Sequence, residues 1–295
     1  MEKLPGVALT DLWKQMDLDT KSRLTKSVVT FVRQLRDLRS FTAIGNLYFR
    51  EHIPSVRVVP TDHENYVLGP IVNPFMFSGG RKLRVSRNLG PYSNDAEYID
   101  ALVSSELEDM KLLLSPDAYL HNDFDEDRAE EAEDAIALLH KFRSISATLF
   151  PSQPHHFSLH HHDLSLGNIL VDPATYEITG IVDWESVGTR PHWEFPYPEF
   201  LRGPDVEEVE PLVPGDQDEY RVERWENWEK TKLRVVFDEE MGAACCPDDG
   251  NDELRREFRM QLDWVGISLG IVHKWMNELG ERMKPGAPNL ESKIL

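Results

Sequence analysis

Three short segments with strand character lie in the middle of a chain whose other parts favour helix. They are FSLHH (157–161), NILVD (168–172) and ITGIVDW (178–184), and the turn-forming DPATYE separates the last two. Strands so short and so few cannot form a large sheet. The sequence therefore predicts an α+β fold that is mainly α, with a small β-hairpin that positions loops.

Helical periodicity dominates the rest of the chain. From Asp19 to Arg39 apolar residues recur every three or four positions, which predicts one amphipathic helix. Ser93 and Asn94, with a Glu three residues after Asn94, favour the start of a second helix that runs to about Leu114. The pattern predicts further helix over 125–150 and 220–280. Residues 41–92 lack this period and form an irregular excursion of short extended pieces, in which SGGRK (78–82) is interpreted as a hairpin turn rather than a phosphate loop.

The charge of the chain limits its partners. The 295 residues include 32 basic and 52 acidic side chains, a formal net charge of −20. Such a field repels phosphate backbones and anionic lipids, so we expect no nucleic acid and no membrane partner. The sequence has neither an apolar run long enough for a membrane span nor a signal peptide, and the adjacent Cys245 and Cys246 suit reduced thiols. We therefore expect a cytoplasmic protein.

Polar residues flank the predicted hairpin in a pattern that suits metal-assisted chemistry. If 169–171 pair with 178–182, Asn168 and Asp183 face each other across the open end, to within one residue of register. Amide and carboxylate oxygens are ligands that Mg²⁺ prefers, together with phosphate oxygens. Asp163 precedes them on the same loop, where a carboxylate can orient and deprotonate an attacking hydroxyl. The constellation predicts phosphoryl transfer.

Other interpretations of these residues stay open at this point. Five histidines fall within 155–162, and alternation along a strand lets His160 and His162 share a face, so they could bind zinc with Asp163. Asp163 and Asp183 could also be turn or cap carboxylates. Several tryptophans in the C-terminal third favour helix packing over a ligand cage: Trp225, Trp228, Trp264 and Trp275. Trp184 and Glu185 could border a substrate or simply pack and solvate.

The two motifs HHDLSLGNILVD (161–172) and ITGIVDWE (178–185) together resemble the aminoglycoside phosphotransferase and choline kinase-like family, particularly its fungal members. The resemblance implies a protein kinase-like fold that uses ATP and Mg²⁺. It implies that Asp163 is the catalytic carboxylate, that Asn168 and Asp183 are metal ligands, and that His161 braces the loop.

The N-terminal MEKLPG resembles the hinge of the same family, where adenine hydrogen-bonds to the backbone. By position, the Glu2 carbonyl and the Leu4 amide would make these contacts. The resemblance thus implies a hinge-like segment at 1–8 and a kinase-like C-terminal lobe at 9–295, with the catalytic loop and hairpin at 157–185. The family's N-terminal lobe, with its phosphate-covering loop and ATP-anchoring Lys, has no counterpart in these 295 residues.

The resemblance implies an ATP-dependent phosphotransferase that acts on a small-molecule hydroxyl, and the acidic surface would suit a cationic acceptor. The alternative is a catalytically silent lobe with a binding or interaction role, and a metal-dependent hydrolase built on the histidines is a more distant one. Without the N-terminal lobe, we expect residues 1–295 to bind ATP weakly and to turn over barely.

Overall fold

The computed structural model describes residues 3–38, 40–53, 57–72, 88–116, 126–150, 152–153, 156–194, 197–212, 215, 218–242 and 250–282. The chain forms two compact units: Met1–Phe41 with Ser158–Pro247, and Thr42–Phe157 with Asp248–Leu295. Among the described residues, no helix has both the length and the apolar character that a bilayer span requires. The predicted division at residue 8 stays a prediction.

The α-helices of the described residues are α1 (Thr10–Trp13), α2 (Leu18–Asp37), α3 (Asp95–Leu113), α4 (Glu126–Glu130), α5 (Ala132–Leu149), α6 (Glu219–Met241), α7 (Asp252–Trp264) and α8 (Leu269–Arg282). The strands are short: β1 (Val7–Ala8), β2 (Gly45–Phe49), β3 (Val59–Pro60), β4 (Tyr66–Gly69), β5 (Ser158–His160), β6 (Ile169–Val171), β7 (Ile178–Ile181) and β8 (Gly188–Arg190). This content confirms the predicted α+β, mainly α fold class, consistent with a kinase-like fold.

The first unit is organised around α2, which begins after Asp17. The Asp17 carboxylate accepts a hydrogen bond of 2.8 Å from the Thr20 amide, and this contact lowers the pKa of Asp17. The apolar stripe of α2 packs against α6 and the catalytic loop in a core that includes Leu24, Val28 and Leu164. The helix predicted over 19–39 is therefore confirmed, within two residues at its C-terminal end.

Two small antiparallel β elements complete the first unit. Strand β6 lies between β1 and β7 in a three-stranded sheet, and β5 pairs with β8. Ile169 and Val171 of β6 are fully buried in the core of the unit. The buried side chains of β6 thus fix the hairpin to the core, while the loops that precede β6 and follow β7 are exposed to solvent at Asp163 and Asp183.

The second unit contains the excursion and the remaining helices. Strands β2, β4 and β3 form an antiparallel sheet, so the extended pieces predicted within 41–92 are regular strands where the structure describes them. The segment 78–82 lies outside the described residues. Helix α3 begins as predicted: Asn94 accepts from the Glu97 amide at 2.9 Å, and Glu97 accepts from the Ser93 amide at 2.9 Å.

The helix predicted over 125–150 is interrupted in the structure. It forms two helices, α4 and α5, with Glu131 between them at φ −89° and ψ −4°. Acidic side chains crowd both sides of this break, and like charges three or four residues apart destabilise a helix. Beyond the break, the buried Phe142 of α5 contacts Phe258 and Trp275, so the packing role expected of Trp275 is confirmed.

Candidate active site

The loop between β5 and β6 brings the predicted catalytic carboxylate and amide into contact. Asp163 is solvent-exposed, and the next residue, Leu164, is buried in the core and holds the loop down. The Asn168 amide group donates to the Asp163 carbonyl at 2.8 Å and to the Asp163 carboxylate Oδ2 at 3.0 Å. Because its nitrogen is directed at Asp163, the Asn168 Oδ1 atom is the one that can bind a cation.

The register of the hairpin places Asp183 beside this pair. Ile169 pairs with Ile181 and Leu170 with Gly180, and the next pair, Val171 with Ile178, leaves Thr179 of β7 as an extra residue. The Asn168 carbonyl accepts a hydrogen bond of 2.9 Å from the Val182 amide, so Val182 lies opposite Asn168 and Asp183 follows directly. The observed register differs by one residue from the symmetric pairing of Asn168 with Asp183. This is within the tolerance of the prediction.

Asp183 has an unusual backbone conformation. Its φ of +65° and ψ of +55° lie in the left-handed region, which is uncommon for residues other than glycine and is tolerated best by Asp and Asn. The turn ends β7 and leads into a short 3₁₀ helix, and the Asp183 side chain is solvent-exposed. Backbone strain of this kind often occurs at functional sites. The convergence of the Asp183 oxygens on Asn168 stays a prediction.

His161 links the two loops. Its Nε2–H donates to the Val182 carbonyl at 3.0 Å, one residue before Asp183. The ring also packs edge to face on Trp184, with centroids 4.8 Å apart, and the Trp184 indole donates to the Ile181 carbonyl at 2.8 Å. The side chain that follows β5 therefore fixes the backbone on both sides of Asp183.

The comparisons with known proteins agree with this geometry. Residues 1–194, which include the catalytic loop and the hairpin, match the phosphotransferase enzyme family (APH). The chain belongs to this family. Two curated proteins that are similar to this chain are subtelomeric hrmA-associated cluster proteins from two strains of Aspergillus fumigatus, each 23% identical over 281 residues.

These relatives are longer than the chain. The alignments cover 80% of this chain and 52% of each relative, so the chain spans about half the length of the curated relatives it matches. No solved structure gives a significant match. The resemblance seen in the two sequence motifs is thus confirmed as membership of the phosphotransferase family.

The hinge-like segment of this family member packs on the hairpin. Strand β1 pairs with β6, and the Pro5 carbonyl accepts a hydrogen bond of 2.7 Å from the Thr179 hydroxyl. Gly6 has φ +104°, and a Cβ there would lie 2.5 Å from the Thr179 hydroxyl oxygen, so only glycine fits. Leu4 lies against Gly180, and Glu2 is outside the described residues. The roles of Glu2 and Leu4 in adenine binding stay predictions.

The histidines beneath the loop form a packed pair. The rings of His160 and His162 lie nearly parallel, 6.4 Å apart, which confirms that they share a face. Burial, with the positive charges of Arg36 and Arg190, lowers the pKa of His160 to about 3, and burial also lowers the pKa of His162 well below its usual value. Among the described residues, no group of three or more His, Cys, Asp or Glu side chains could hold a metal ion.

Sequence reasoning missed Arg202, which interacts electrostatically with Asp163. Burial lowers the pKa of its guanidinium, and the carboxylates of Glu199, Glu194 and Asp163 oppose that shift. Arg202 lines a small cavity together with His160 and His161. Its distance of 39 positions from Asp163 leaves no local motif that could have identified it.

Trp184 packs rather than standing free at the site. It contacts Phe31 of α2 edge to face, with centroids 5.7 Å apart, in addition to His161. About a third of its surface stays accessible, 37%. Trp184 therefore packs on both residues and keeps part of its surface at solvent, and Glu185 is exposed.

Proposed function

We propose that the chain supplies the phosphoryl-transfer centre of a cytoplasmic, ATP- and Mg²⁺-dependent phosphotransferase that acts on a small-molecule hydroxyl. The observation that carries this proposal is the double hydrogen bond from Asn168 to Asp163 beside the Asp183 turn. The proposal is further supported by the two exposed carboxylates, Asp163 and Asp183, at the end of this hairpin, and by membership of the phosphotransferase family.

The donor set suits a hard divalent cation. Asn168 Oδ1 and the Asp183 carboxylate are neutral and anionic oxygen ligands of the kind that Mg²⁺ binds together with phosphate. Mg²⁺ held there would neutralise charge on the ATP phosphates. The left-handed turn at Asp183 and the His161 bond to the adjacent carbonyl keep this carboxylate at a fixed place on the hairpin.

Asp163 would act on the acceptor. Its carboxylate orients the hydroxyl and takes its proton while the hydroxyl oxygen forms a bond to the γ-phosphorus. The bond between that phosphorus and the bridging oxygen of ADP breaks, and ADP leaves with the electron pair. The Asn168 amide holds Asp163 Oδ2, which leaves Oδ1 directed to the hydroxyl. The Arg202 guanidinium, which interacts electrostatically with Asp163, adds a positive charge to this region.

The test compares phosphate transfer from ATP to a panel of neutral, cationic and anionic alcohols by the wild-type chain and by Asp163→Asn. Loss of a positioned base typically lowers a rate by about a hundred- to ten-thousandfold, so we expect the variant to lose nearly all transfer. Because Asp163 is exposed, the circular dichroism and urea unfolding of the Asp163→Asn variant should match those of the wild type. Transfer that survives Asp163→Asn would refute the mechanism.

A further inference from the structure

A large cavity lies beside the catalytic loop in the first unit. It has a volume of about 1010 Å³ and is bounded by α1, the start of α2, α6 and residues 165–167. This is the size of a small-molecule site. Residues 165–167 connect Asp163 to Asn168, so a ligand in the cavity would lie next to the proposed phosphoryl-transfer centre. Three tryptophans line it: Trp13, Trp225 and Trp228.

Each carboxylate of this tryptophan cavity already has a partner within the protein. Glu229 accepts from the Lys21 ammonium at 2.7 Å, and both side chains are almost completely buried. Glu226 pairs with Lys14 at 3.1 Å. Asp17 caps α2, and Glu199 interacts electrostatically with Arg202. The acidic groups that would recognise a cationic ligand are therefore used internally.

The aromatic faces are also engaged. The Lys21 ammonium lies 5.3 Å from the centre of the Trp13 ring, and the Lys232 ammonium lies 5.6 Å from the Trp228 ring. These are the positions that a ligand cation would take over an indole. Trp225 packs against Trp228 with ring centroids 4.8 Å apart. The apolar lining consists of the indoles, Phe200 and aliphatic side chains: Met16, Leu18, Leu166, Leu212, Val222 and Leu233.

We propose that the tryptophan cavity is the acceptor site and that it selects an uncharged alcohol carrying an aromatic or alicyclic ring. The substrate class rests on the proposed phosphotransferase function, but the binding preference does not require it. A ligand ammonium would meet the ammonium groups of three lysines, Lys14, Lys21 and Lys230, and a ligand carboxylate would meet the Glu226 and Glu229 carboxylates, whereas a neutral ring meets apolar surface. The acidic composition of the whole chain, taken by itself, would suit a cationic acceptor. The carboxylates of this cavity, however, already have partners within the protein.

A series of three small probes of matched shape tests the charge preference without ATP. Ligand-observed NMR measures the dissociation constants of 2-phenylethanol, 2-phenylethylamine and phenylacetate for the full chain at pH 7.5. We expect the alcohol to bind about tenfold or more tightly than either charged analogue, since a like charge at a desolvated site costs affinity. An amine or carboxylate that binds as tightly as the alcohol, or an alcohol that shows no saturable binding, would overturn the proposal.

Two substitutions locate the binding and its cause. Val222→Phe places a larger side chain in the cavity and should weaken alcohol binding, with unchanged circular dichroism as the folding check. Lys14→Gln releases the Glu226 carboxylate and should raise amine affinity about fivefold while the alcohol is unaffected. Lys26→Gln is the matched control, since it breaks a similar exposed pair with Glu240 that does not line the cavity. Equal effects of Lys14→Gln and Lys26→Gln would contradict the internal-pairing argument.

The outcome is separable from that of the proposed function. Saturable alcohol binding together with phosphate transfer that survives Asp163→Asn would leave the binding preference of the cavity intact and contradict only the proposed mechanism. Phosphate transfer to cationic alcohols that Val222→Phe does not impair would contradict the cavity assignment and leave the phosphotransferase proposal intact.

Discussion

The catalytic loop and the tryptophan cavity are neighbours in the first unit, yet they use charged side chains in different ways. In the loop, the Asp163 and Asp183 carboxylates are exposed, and a neutral amide holds Asp163 in place. In the cavity, the carboxylates of Glu226 and Glu229 are each joined to a lysine. Both regions are rich in acidic residues, but lysines hold the two glutamates of the cavity, whereas a neutral amide holds Asp163.

This difference shows why composition is a poor guide to ligand charge. A desolvated carboxylate that is paired with a cation contributes to stability, because the cation neutralises it. Removing that cation leaves a buried, uncompensated negative charge. A carboxylate held at the surface by a neutral donor keeps its charge for chemistry. The comparison predicts that changes in the cavity pairs alter stability, whereas changes in the loop alter metal binding and turnover.

The largest effect on stability is expected for the buried pair Lys21–Glu229. Lys21→Met leaves the Glu229 carboxylate without its ammonium partner, which should lower the free energy of unfolding by about 3 to 5 kcal/mol. Urea unfolding monitored by circular dichroism measures this. The double variant Lys21→Met/Glu229→Gln removes the stranded charge and should recover most of the loss. A single variant within about 1 kcal/mol of the wild type would show that the pair is not structural.

The next prediction concerns the loop. Asn168→Leu removes the amide oxygen and should weaken Mn²⁺ binding in the presence of ADP about ten- to a hundredfold, with little change in unfolding. Electron paramagnetic resonance of free Mn²⁺ measures the affinity. Asn168→Asp is the control: it keeps an oxygen ligand, so metal binding should persist, but it loses the donor to Asp163, so turnover should fall. Equal Mn²⁺ affinity in Asn168→Leu and the wild type would exclude Asn168 as a ligand.

The loop and the hairpin could be predicted from sequence because their signals are local. Asp163, Asn168 and the apolar strand that follows them lie within ten residues of one another. The pairing register was predicted, to within one residue, from the position of a single turn. The extra residue in β7, Thr179, was not predictable, since nothing in the sequence distinguishes it from a regularly paired residue. The family motif supplied the role of His161, and the structure shows its contact with the Val182 carbonyl.

The cavity could not be predicted because its contacts join distant parts of the chain. Lys21 and Glu229 lie 208 positions apart, and nothing in either sequence neighbourhood indicates the pair. The spacing of Trp225 and Trp228 indicates a common helix face, but whether that face packs or lines a cavity depends on what α1 and the catalytic loop place opposite it. Arg202 was missed for the same reason.

A smaller effect is expected from the buried histidine beneath the loop. The pKa of His160 is lowered to about 3, whereas an unfolded histidine titrates near 6.5. As the pH falls below about 6.5, the unfolded chain binds a proton that the folded chain does not, so stability decreases by about 1.4 kcal/mol per pH unit. Between pH 7.5 and 5.0 His160 should therefore account for a loss of about 2 kcal/mol.

His160→Leu should flatten the pH dependence of unfolding by that amount, whatever its stability at pH 7.5. Urea unfolding at several pH values measures the slope. His156→Leu is the matched control, because His156 is exposed and the exchange should leave the slope of the wild type. If His160→Leu keeps the full slope, the imidazole is not held neutral in the folded chain.

The smallest effect is expected for the exposed cavity pair and gives the sharpest form of the comparison. Lys14 is 81% exposed and Glu226 is 43% exposed, so solvent screens their attraction and Lys14→Gln should change the free energy of unfolding by at most about 0.5 kcal/mol. The same lysine, by contrast, should matter for ligand charge, since Glu226 becomes available to an amine. Urea unfolding and the amine titration on one protein preparation separate the two effects. If Lys14→Gln lowers the free energy of unfolding as much as Lys21→Met does, solvent exposure does not distinguish the two ion pairs. The distinction between structural charges and charges available to a ligand would then fail within the cavity.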